Sequence, residues 1–370
     1  MKICIDLTSL ADNLSGIERY AACLALELIK HPENDYILLF KGDIHALFRP
    51  YIFNKNITYE IIEPCNKLLF NQIKLPLRIH RIKADWYLFM AFPVPVLSFK
   101  NNMVSTIHDI CCWDCPETMN GMMKWYFRIS HRIAINKCKA IMTISEFSKK
   151  RIHEKLNYPN ERIWLIYCGI DQSEFQIQSN KTDSVREKYS LPEEYILSLS
   201  TLEPRKNLPL LIYAYQDLIK RGEQLPKLVL AGRKGWKMDE FLKSIEDSVK
   251  GNIIFTGFID DEDLAAVYGN AKYFVYPSLY EGFGMPPLEA MACGTPVISS
   301  DAGSLEEVLG DGAMVFESQN IEQLKNRIME IERLTFNNRK KIGILGKKQT
   351  ELFSWSNEAD KLMGNLFKYH

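Results

Sequence analysis

What this chain lacks narrows it first. Its 46 Lys and Arg residues balance 46 Asp and Glu, so the formal net charge is zero. No field of one sign argues for nucleic acid as a partner. No run approaches the roughly 18 to 20 apolar residues that a bilayer-crossing helix needs. The opening residues, MKICIDLTSL, carry one lysine and enter an apolar strand pattern directly. The charged region, long apolar core and cleavage site of a signal peptide are missing, so the expectation is a cytoplasmic protein. No GxGxxG follows a strand, which argues against a dinucleotide oxidoreductase, and no GxxxxGK[ST] loop occurs. No DxD sits at a strand end; Asp260-Asp261-Glu262-Asp263 reads instead as a helix start. Cysteine is present at nine positions, including a cluster at Cys111, Cys112 and Cys115. No second pair at zinc spacing accompanies it, so reduced thiols are expected there, with no metal and no cofactor.

What is present points to two domains. A chain of 370 residues exceeds one ordinary core. In both halves short apolar runs alternate with longer helical patterns, the signature of a parallel sheet covered by helices. Strands are expected at 2–7, 36–40, 57–62, 85–90, 103–107 and 140–144, then at 195–200, 227–231, 252–256, 272–278, 295–300 and 313–316. The polar, aperiodic stretch 171–182 reads as a linker, placing domains at 1–172 and 183–350, with a last helix at 355–370 crossing back to the first.

The chemistry concentrates in Tyr276 to Ser304, YPSLYEGFGMPPLEAMACGTPVISSDAGS. A strand ends near Ser278, a turn follows at Glu281-Gly282-Phe283-Gly284, and a helix is expected over 287–293. Glycines leave the turn's N–H groups open to an anion at a helix start. Glu281 and Glu289 bracket that cradle, and two acids beside phosphate-sized amides suit a ligand bearing both phosphate and hydroxyls. A nucleotide sugar is such a ligand. Two basic clusters follow neighbouring strands: Arg205-Lys206 in EPRKN after Thr201, and Gly232-Arg233-Lys234-Gly235-Trp236. At strand carboxyl ends they would face one crevice and clamp a diphosphate. In the first half, Ser15-Gly16 opens a helix after the first strand. It reads equally as a phosphate loop or an ordinary cap. His108-Asp109 ends a mid-domain strand, where a histidine could polarise or deprotonate a reacting group. Ser145 begins a helix as an imperfect capping box with Ser148.

Two stretches without acids mix bases with bulky apolar residues. The first, 66–83, carries Lys67, Lys74, Arg78, Arg81 and Lys83, and Pro76 interrupts it. The second, 119–140, carries Lys124, Arg128, Arg132, Lys137 and Lys139 among Met122, Met123, Trp125 and Phe127. Both suit peripheral docking on an anionic membrane surface, and both suit surface helices packed on a sheet.

Two doubly wound halves, the SGI turn, the HD pair, EPRKN and EGFGMPPLEA together resemble a retaining glycosyltransferase of family 4. The resemblance spans nearly the whole chain, and Glu281 with Glu289, the E-x7-E pattern, is its most specific part. EPRKN with GRKGW is similar to bacterial mannosyltransferases of surface polysaccharide synthesis. The resemblance implies a GT-B fold, two doubly wound Rossmann-like domains facing a central cleft, the first binding acceptor and the second the nucleotide sugar. It implies Glu281 beside the donor sugar and Glu289 on the ribose. Gly282, Phe283 and Gly284 would offer amides, Lys206 would meet the diphosphate, Gly16 the phosphate, and His108 the reacting face. Arg205 would replace the family arginine whose place Thr201 takes. Asp109, Ser145, Ser278, Gly232 and Lys234 complete the candidate substrate-binding set. The implied reaction moves a hexose, with GDP-mannose the favoured donor, to a lipid-linked oligosaccharide in lipopolysaccharide, O-antigen or capsule synthesis. Rhamnosyl, glucosyl or N-acetylhexosaminyl transfer, a sugar-nucleotide epimerase and a non-catalytic nucleotide-sugar binder are the alternatives.

Overall fold

The computed structural model describes all residues except 67–68, 92–93, 177–180, 236–241 and 243–244. Lys67 of the first basic stretch and Trp236 of the second basic loop therefore lie outside the described residues. The chain divides into two compact units, one formed by Met1–Gly169 with Phe353–His370 and the other by Ile170–Leu352.

The first unit is built on seven strands: β1 (Lys2–Asp6), β2 (Asp35–Lys41), β3 (Ile57–Ile62), β4 (Trp86–Phe89), β5 (Met103–Thr106), β6 (Ala140–Thr143) and β7 (Ile163–Leu165). They lie in the order β3-β2-β1-β4-β5-β6-β7, every pair parallel. The central strands β4, β5 and β6 are buried along their whole length. That is why they lack a polar alternation and carry only small hydroxyl residues, Ser105, Thr106 and Thr143, among their apolar ones. The order reverses between β1 and β4, which opens a crevice beyond the carboxyl ends of those two strands.

The second unit repeats the plan with β8 (Tyr195–Leu199), β9 (Lys227–Ala231), β10 (Ile253–Gly257), β11 (Tyr273–Tyr276), β12 (Val297–Ser300) and β13 (Ala313–Phe316). Their order is β10-β9-β8-β11-β12-β13, again all parallel, with the reversal between β8 and β11. Its core packs Leu211, Ile212 and Tyr215 of the helix Leu208–Lys220, together with Leu324 and Ile328, on Leu228, Leu230 and Ile298 of the sheet.

The last helix, Trp355–Lys368, belongs to the first unit. Trp355 meets the ring of Tyr20 edge-on at 5.7 Å. The buried Glu358 carboxylate accepts the Tyr167 N–H at 2.9 Å, and Lys139 Nζ donates to Tyr369 O at 2.6 Å. The amphipathic pattern of that helix thus finds its partners on the Gly16–Leu28 helix and the end of the first sheet. The first basic stretch forms a π-helical turn, Phe70–Lys74, that runs straight into a helix at Leu75–Arg81. Pro76 is the second residue of that helix, directly after the π-helical turn.

Candidate active site

The two basic and acidic loops of the second unit follow β8 and β11, the strands that flank its topological switch. After β8 the chain runs through Ser200 to a short 3-10 turn, Pro204–Lys206. After β11 it runs through Ser278 to Glu281. Neighbouring strands therefore deliver Arg205, Lys206 and Glu281 to one place. Lys206 Nζ donates to Glu281 Oε1 at 2.7 Å and to the Tyr276 hydroxyl at 2.7 Å. Arg205 Nη1 donates to Glu281 Oε2 at 3.0 Å and to Tyr280 O at 3.0 Å. The Ser278 and Tyr276 hydroxyls donate to Glu281 Oε1 at 2.5 and 3.0 Å.

Glu281 and Lys206 are only 6% and 8% exposed, so this is a buried ion cluster and not a solvated pair. Burial alone would raise the Glu281 carboxyl. Arg205 and Lys206 outweigh it, with hydrogen bonds from Lys206 and Ser278, and bring the group down to about 2. Lys206 is shifted below the ordinary lysine value, first by burial and then by Arg205, against the opposing pull of Glu281. Arg205 also reaches the buried Glu203 carboxylate at 3.1 Å, so the cluster sets two cations against two carboxylates, a preorganised polar patch that a ligand's charge can meet without reorganisation.

The turn beyond Glu281 is held by close backbone packing. Ser304 donates its N–H (3.1 Å) and its hydroxyl (3.2 Å) to Glu281 O. Gly303, at φ +70°, lies so near that a Cβ would stand 2.3 Å from the same oxygen. Gly284 has φ +104° and starts the helix Met285–Ala292, with Leu305 2.5 Å from where its Cβ would be. Among the described residues the buried N–H groups of Gly282 and Gly284 donate to no protein acceptor. Buried orphan donors at a helix start are what an anion satisfies. On that helix Glu289 Oε2 accepts from the Tyr268 hydroxyl at 2.8 Å, which fixes one carboxylate oxygen.

The second basic loop is tied to the first through the backbone. Leu202 N–H donates to Arg233 O at 2.9 Å, Gly235 N–H donates to Leu202 O at 3.0 Å, and Leu202 bridges Lys234. Lys234 is exposed, and Arg233 lies over the Phe258 ring at 4.3 Å. Gly232 gives its N–H to Gly257 O at 2.7 Å, so that amide is already engaged. Thr201 is exposed on the first loop and joins none of these bonds.

In the first unit, His108 follows β5. Its Nε2 lies 3.0 Å from Met90 O, and its ring meets Tyr20 edge-on at 5.0 Å. The carbonyl contact makes Nε2 the protonated nitrogen and leaves Nδ1 as an acceptor. Burial lowers the ring to about 4, despite the upward pull of the Met90 bond and Asp109. The imidazole is thus neutral at pH 7, a hydrogen-bond acceptor for a hydroxyl and not a charge. Asp109 Oδ1 accepts the Cys111 N–H at 2.9 Å. Gly16 begins the first helix, and a Cβ there would touch nothing within 4 Å, so packing does not demand glycine. Ser145 and Ser278 are fully buried. Ser145 accepts the Ser148 N–H at 3.0 Å as a cap, and Ser278 serves Glu281 and the Arg205 carbonyl. Both hydroxyls are spent on positioning.

Sequence reading missed Tyr276 and Tyr268, the hydroxyls that hold Lys206, Glu281 and Glu289. They look like ordinary strand and helix aromatics, and only the switch-point geometry singles them out. It also missed Gly303, whose lone signal is a glycine three residues past a strand. All nine cysteines are free; Cys112 Sγ lies 3.7 Å from His131 Nδ1. Among the described residues no three His, Cys, Asp or Glu side chains gather as a metal-holding group, and no helix is long and apolar enough to cross a membrane.

Two all-parallel doubly wound units, with a charged, amide-rich cradle at the second switch point, have the architecture of the GT-B glycosyltransferases. Residues 14–174 match the model described as glycosyltransferase family 4, and residues 180–349 that described as glycosyl transferases group 1. O-antigen chain mannosyltransferase B of Escherichia coli is 31% identical over 96% of this chain and 97% of its own. The serotype-specific mannosyltransferase WbdA of E. coli is 36% identical over 63% of this chain, which spans only 29% of that longer protein. In fold, the Anabaena HepE crystal structure in complex with UDP and glucose superposes at TM-score 0.73 over 100% of both chains, at 18% identity. The chain belongs to the family 4 glycosyltransferases.

Proposed function

We propose that this enzyme is a mannosyltransferase of O-antigen or related surface-polysaccharide synthesis, using GDP-mannose and retaining the anomeric configuration. The observation that carries the reading is the near full-length similarity to O-antigen chain mannosyltransferase B. In this reading Lys206 and Arg205 take the diphosphate, helped by the Gly282, Phe283 and Gly284 amides. Glu289 holds the ribose hydroxyls, and Glu281 keeps the two cations aimed and steadies the sugar. The chemical demand is a stabilised diphosphate leaving group and an oxocarbenium-like sugar, which a preorganised charged patch meets. The acceptor hydroxyl would enter on the leaving-group side and pass its proton to the departing phosphate, with neutral His108 accepting a hydrogen bond from the sugar. The first unit would bind the acceptor, a lipid-linked oligosaccharide.

Membrane docking through the helix Gly121–Lys137 fits the same reading, with a shift of emphasis. The Arg128 guanidinium lies over Trp113 and Trp125 at 4.9 and 5.8 Å, and Arg132 over Trp113 at 5.2 Å. Lys137 donates to Val96 O and Ser98 O. What faces outward is Met122 and Trp125, 83% and 61% exposed. Apolar insertion, more than headgroup charge, would anchor it.

The test is a thermal-shift panel of GDP-, UDP- and dTDP-sugars followed by transfer to a lipid-linked oligosaccharide. GDP-mannose should stabilise most and be turned over. Lys206→Ala should lower turnover by about two orders of magnitude or more with the fold intact. A stronger response to UDP-sugars would overturn the donor, and near-normal rates in Lys206→Ala would overturn the site.

A further inference from the structure

The first unit holds a cavity of about 710 Å³, formed wholly by its own residues. That is within the roughly 300–1,000 Å³ range of small-molecule sites. It lies at the first sheet's own topological switch: Asp6 ends β1, Lys41 ends β2, and Val94–Leu97 follow β4. Its two sides differ in chemistry. Asp6, Thr8, Ser9 and Glu18 make a polar side. Tyr126, Ile129 and Ile133, one face of the helix Gly121–Lys137, make an apolar one with Val96 and Leu97. Gln72 Oε1 accepts the Val96 N–H at 3.1 Å and so pins that loop beside the π-helical turn.

The polar side has unspent capacity. Asp6 Oδ1 accepts from the Thr8 N–H (3.0 Å) and hydroxyl (2.7 Å), while Oδ2 has no protein partner among the described residues. Ser9 Oγ is out of solvent and unpaired. Burial pushes the half-buried Asp6 carboxyl up and the Thr8 bonds pull it down. A buried unpaired hydroxyl beside a carboxylate oxygen with open capacity recognises hydroxyls or amides. Of the charged lining groups, Asp6 and Glu18 are acids and Lys41 is the one base, its ammonium lying over the Phe70 ring at 5.7 Å. The net −1 lining disfavours a phosphate or carboxylate. Hydroxyls on one side and C–H faces on the other are the two surfaces of a sugar ring.

We propose that this cavity binds the terminal sugars of an uncharged glycan, with Asp6 and Ser9 holding ring hydroxyls and the Tyr126 face packing on the rings. That the glycan is the acceptor rests on the transferase reading; that the bound end is neutral rests on the cavity alone. Asp6 and Ser9 act here as binding residues, outside the donor cluster of Lys206 and Glu281.

The experiment uses the full chain and isothermal titration calorimetry. The ligands are mannobiose, cellobiose, diacetylchitobiose and mannose 6-phosphate, with GDP and UDP as controls. At least one neutral disaccharide should bind, and mannose 6-phosphate should bind at least tenfold more weakly than it. Asp6→Asn, nearly isosteric, and Tyr126→Ala, at an exposed position, should each weaken that disaccharide tenfold or more. Nucleotide affinity should stay within twofold. Unchanged disaccharide binding in both variants, tighter binding of the phosphorylated sugar, or no binding by any disaccharide would overturn the site. Turnover of nucleotide sugar by the unaltered chain is read separately: its absence would sink the transferase reading and leave sugar binding at Asp6 to stand or fall by the titration.

Discussion

Glu281→Gln is the sharpest probe of the donor cluster, because it deletes one charge and little volume. In the folded protein the carboxyl sits near 2 against an ordinary 4.5. That difference is worth about 3 kcal/mol of stability at neutral pH. A carboxyl held low in the fold contributes fully above its unfolded value, and the contribution is lost as pH falls from 4.5 toward 2. Removing one member of a buried pair costs about 3–5 kcal/mol, since Lys206 loses its paired carboxylate while Arg205 keeps Glu203 at 3.1 Å. For a unit of this size each kcal/mol moves Tm by about 2–4 °C, so Tm should fall by roughly 6–20 °C. The same logic fixes the sign of a second readout. A nucleotide diphosphate brings the negative charge that the variant lacks, so saturating GDP or UDP should raise the variant's Tm by more than it raises the parent's. Turnover should nevertheless fall by about a hundredfold or more. The assay is differential scanning fluorimetry with and without nucleotide, alongside steady-state transfer. A Tm loss under 2 °C, or a smaller nucleotide effect in the variant, would refute the reading of Glu281 as the counter-ion that aims Lys206 and Arg205.

The remaining tests are simpler. Burial lowers His131 to about 4, so its neutral form favours the fold; stability should be full above pH 6.5 and decline by about 3 kcal/mol as pH falls from 6.5 to 4. Urea midpoints measured across that window should fall less steeply in His131→Asn, and parallel curves would exclude the histidine as a cause. Gly303→Ala forces a left-handed residue, costing about 1–2 kcal/mol before the clash with Glu281 O is counted; turnover should drop with it, and a variant of parental Tm and rate would show that the turn yields freely. Replacing Met122 and Trp125 with Gln should cut sedimentation with phosphatidylglycerol-containing vesicles about tenfold, and unchanged binding would return that stripe to an ordinary surface.

Legibility in the sequence tracked how many residues share a signal. Most of the buried parallel strands write themselves as short, largely apolar runs, because helices cover both faces of the sheet, and so all the expected strands have counterparts within a few residues. The donor loops were legible for a related reason: Glu281-Gly282-Phe283-Gly284 and Glu203-Pro204-Arg205-Lys206 break an apolar pattern with charge and glycine at strand carboxyl ends. Partnership was not legible. Nothing in the order of residues says that Arg205 and Lys206 would be held by Glu281, 75 and 76 positions away, or that Tyr276 would stand between them. In the helix Gly121–Lys137 the order of residues gave the mixture of bases and bulky apolar groups but not their orientation: Arg128 and Arg132 turn onto Trp113 while Met122 and Trp125 stay exposed. The cavity at Asp6 was invisible for the converse reason: one acid at the end of β1 and one serine beyond it carry no pattern at all. Their meaning comes from the sheet, which reverses its order beside β1 and brings the loops after β2 and β4 around them. Since both units share one strand order, the second unit's switch point, already recognisable from its charges, is the best guide to where the first keeps its ligand.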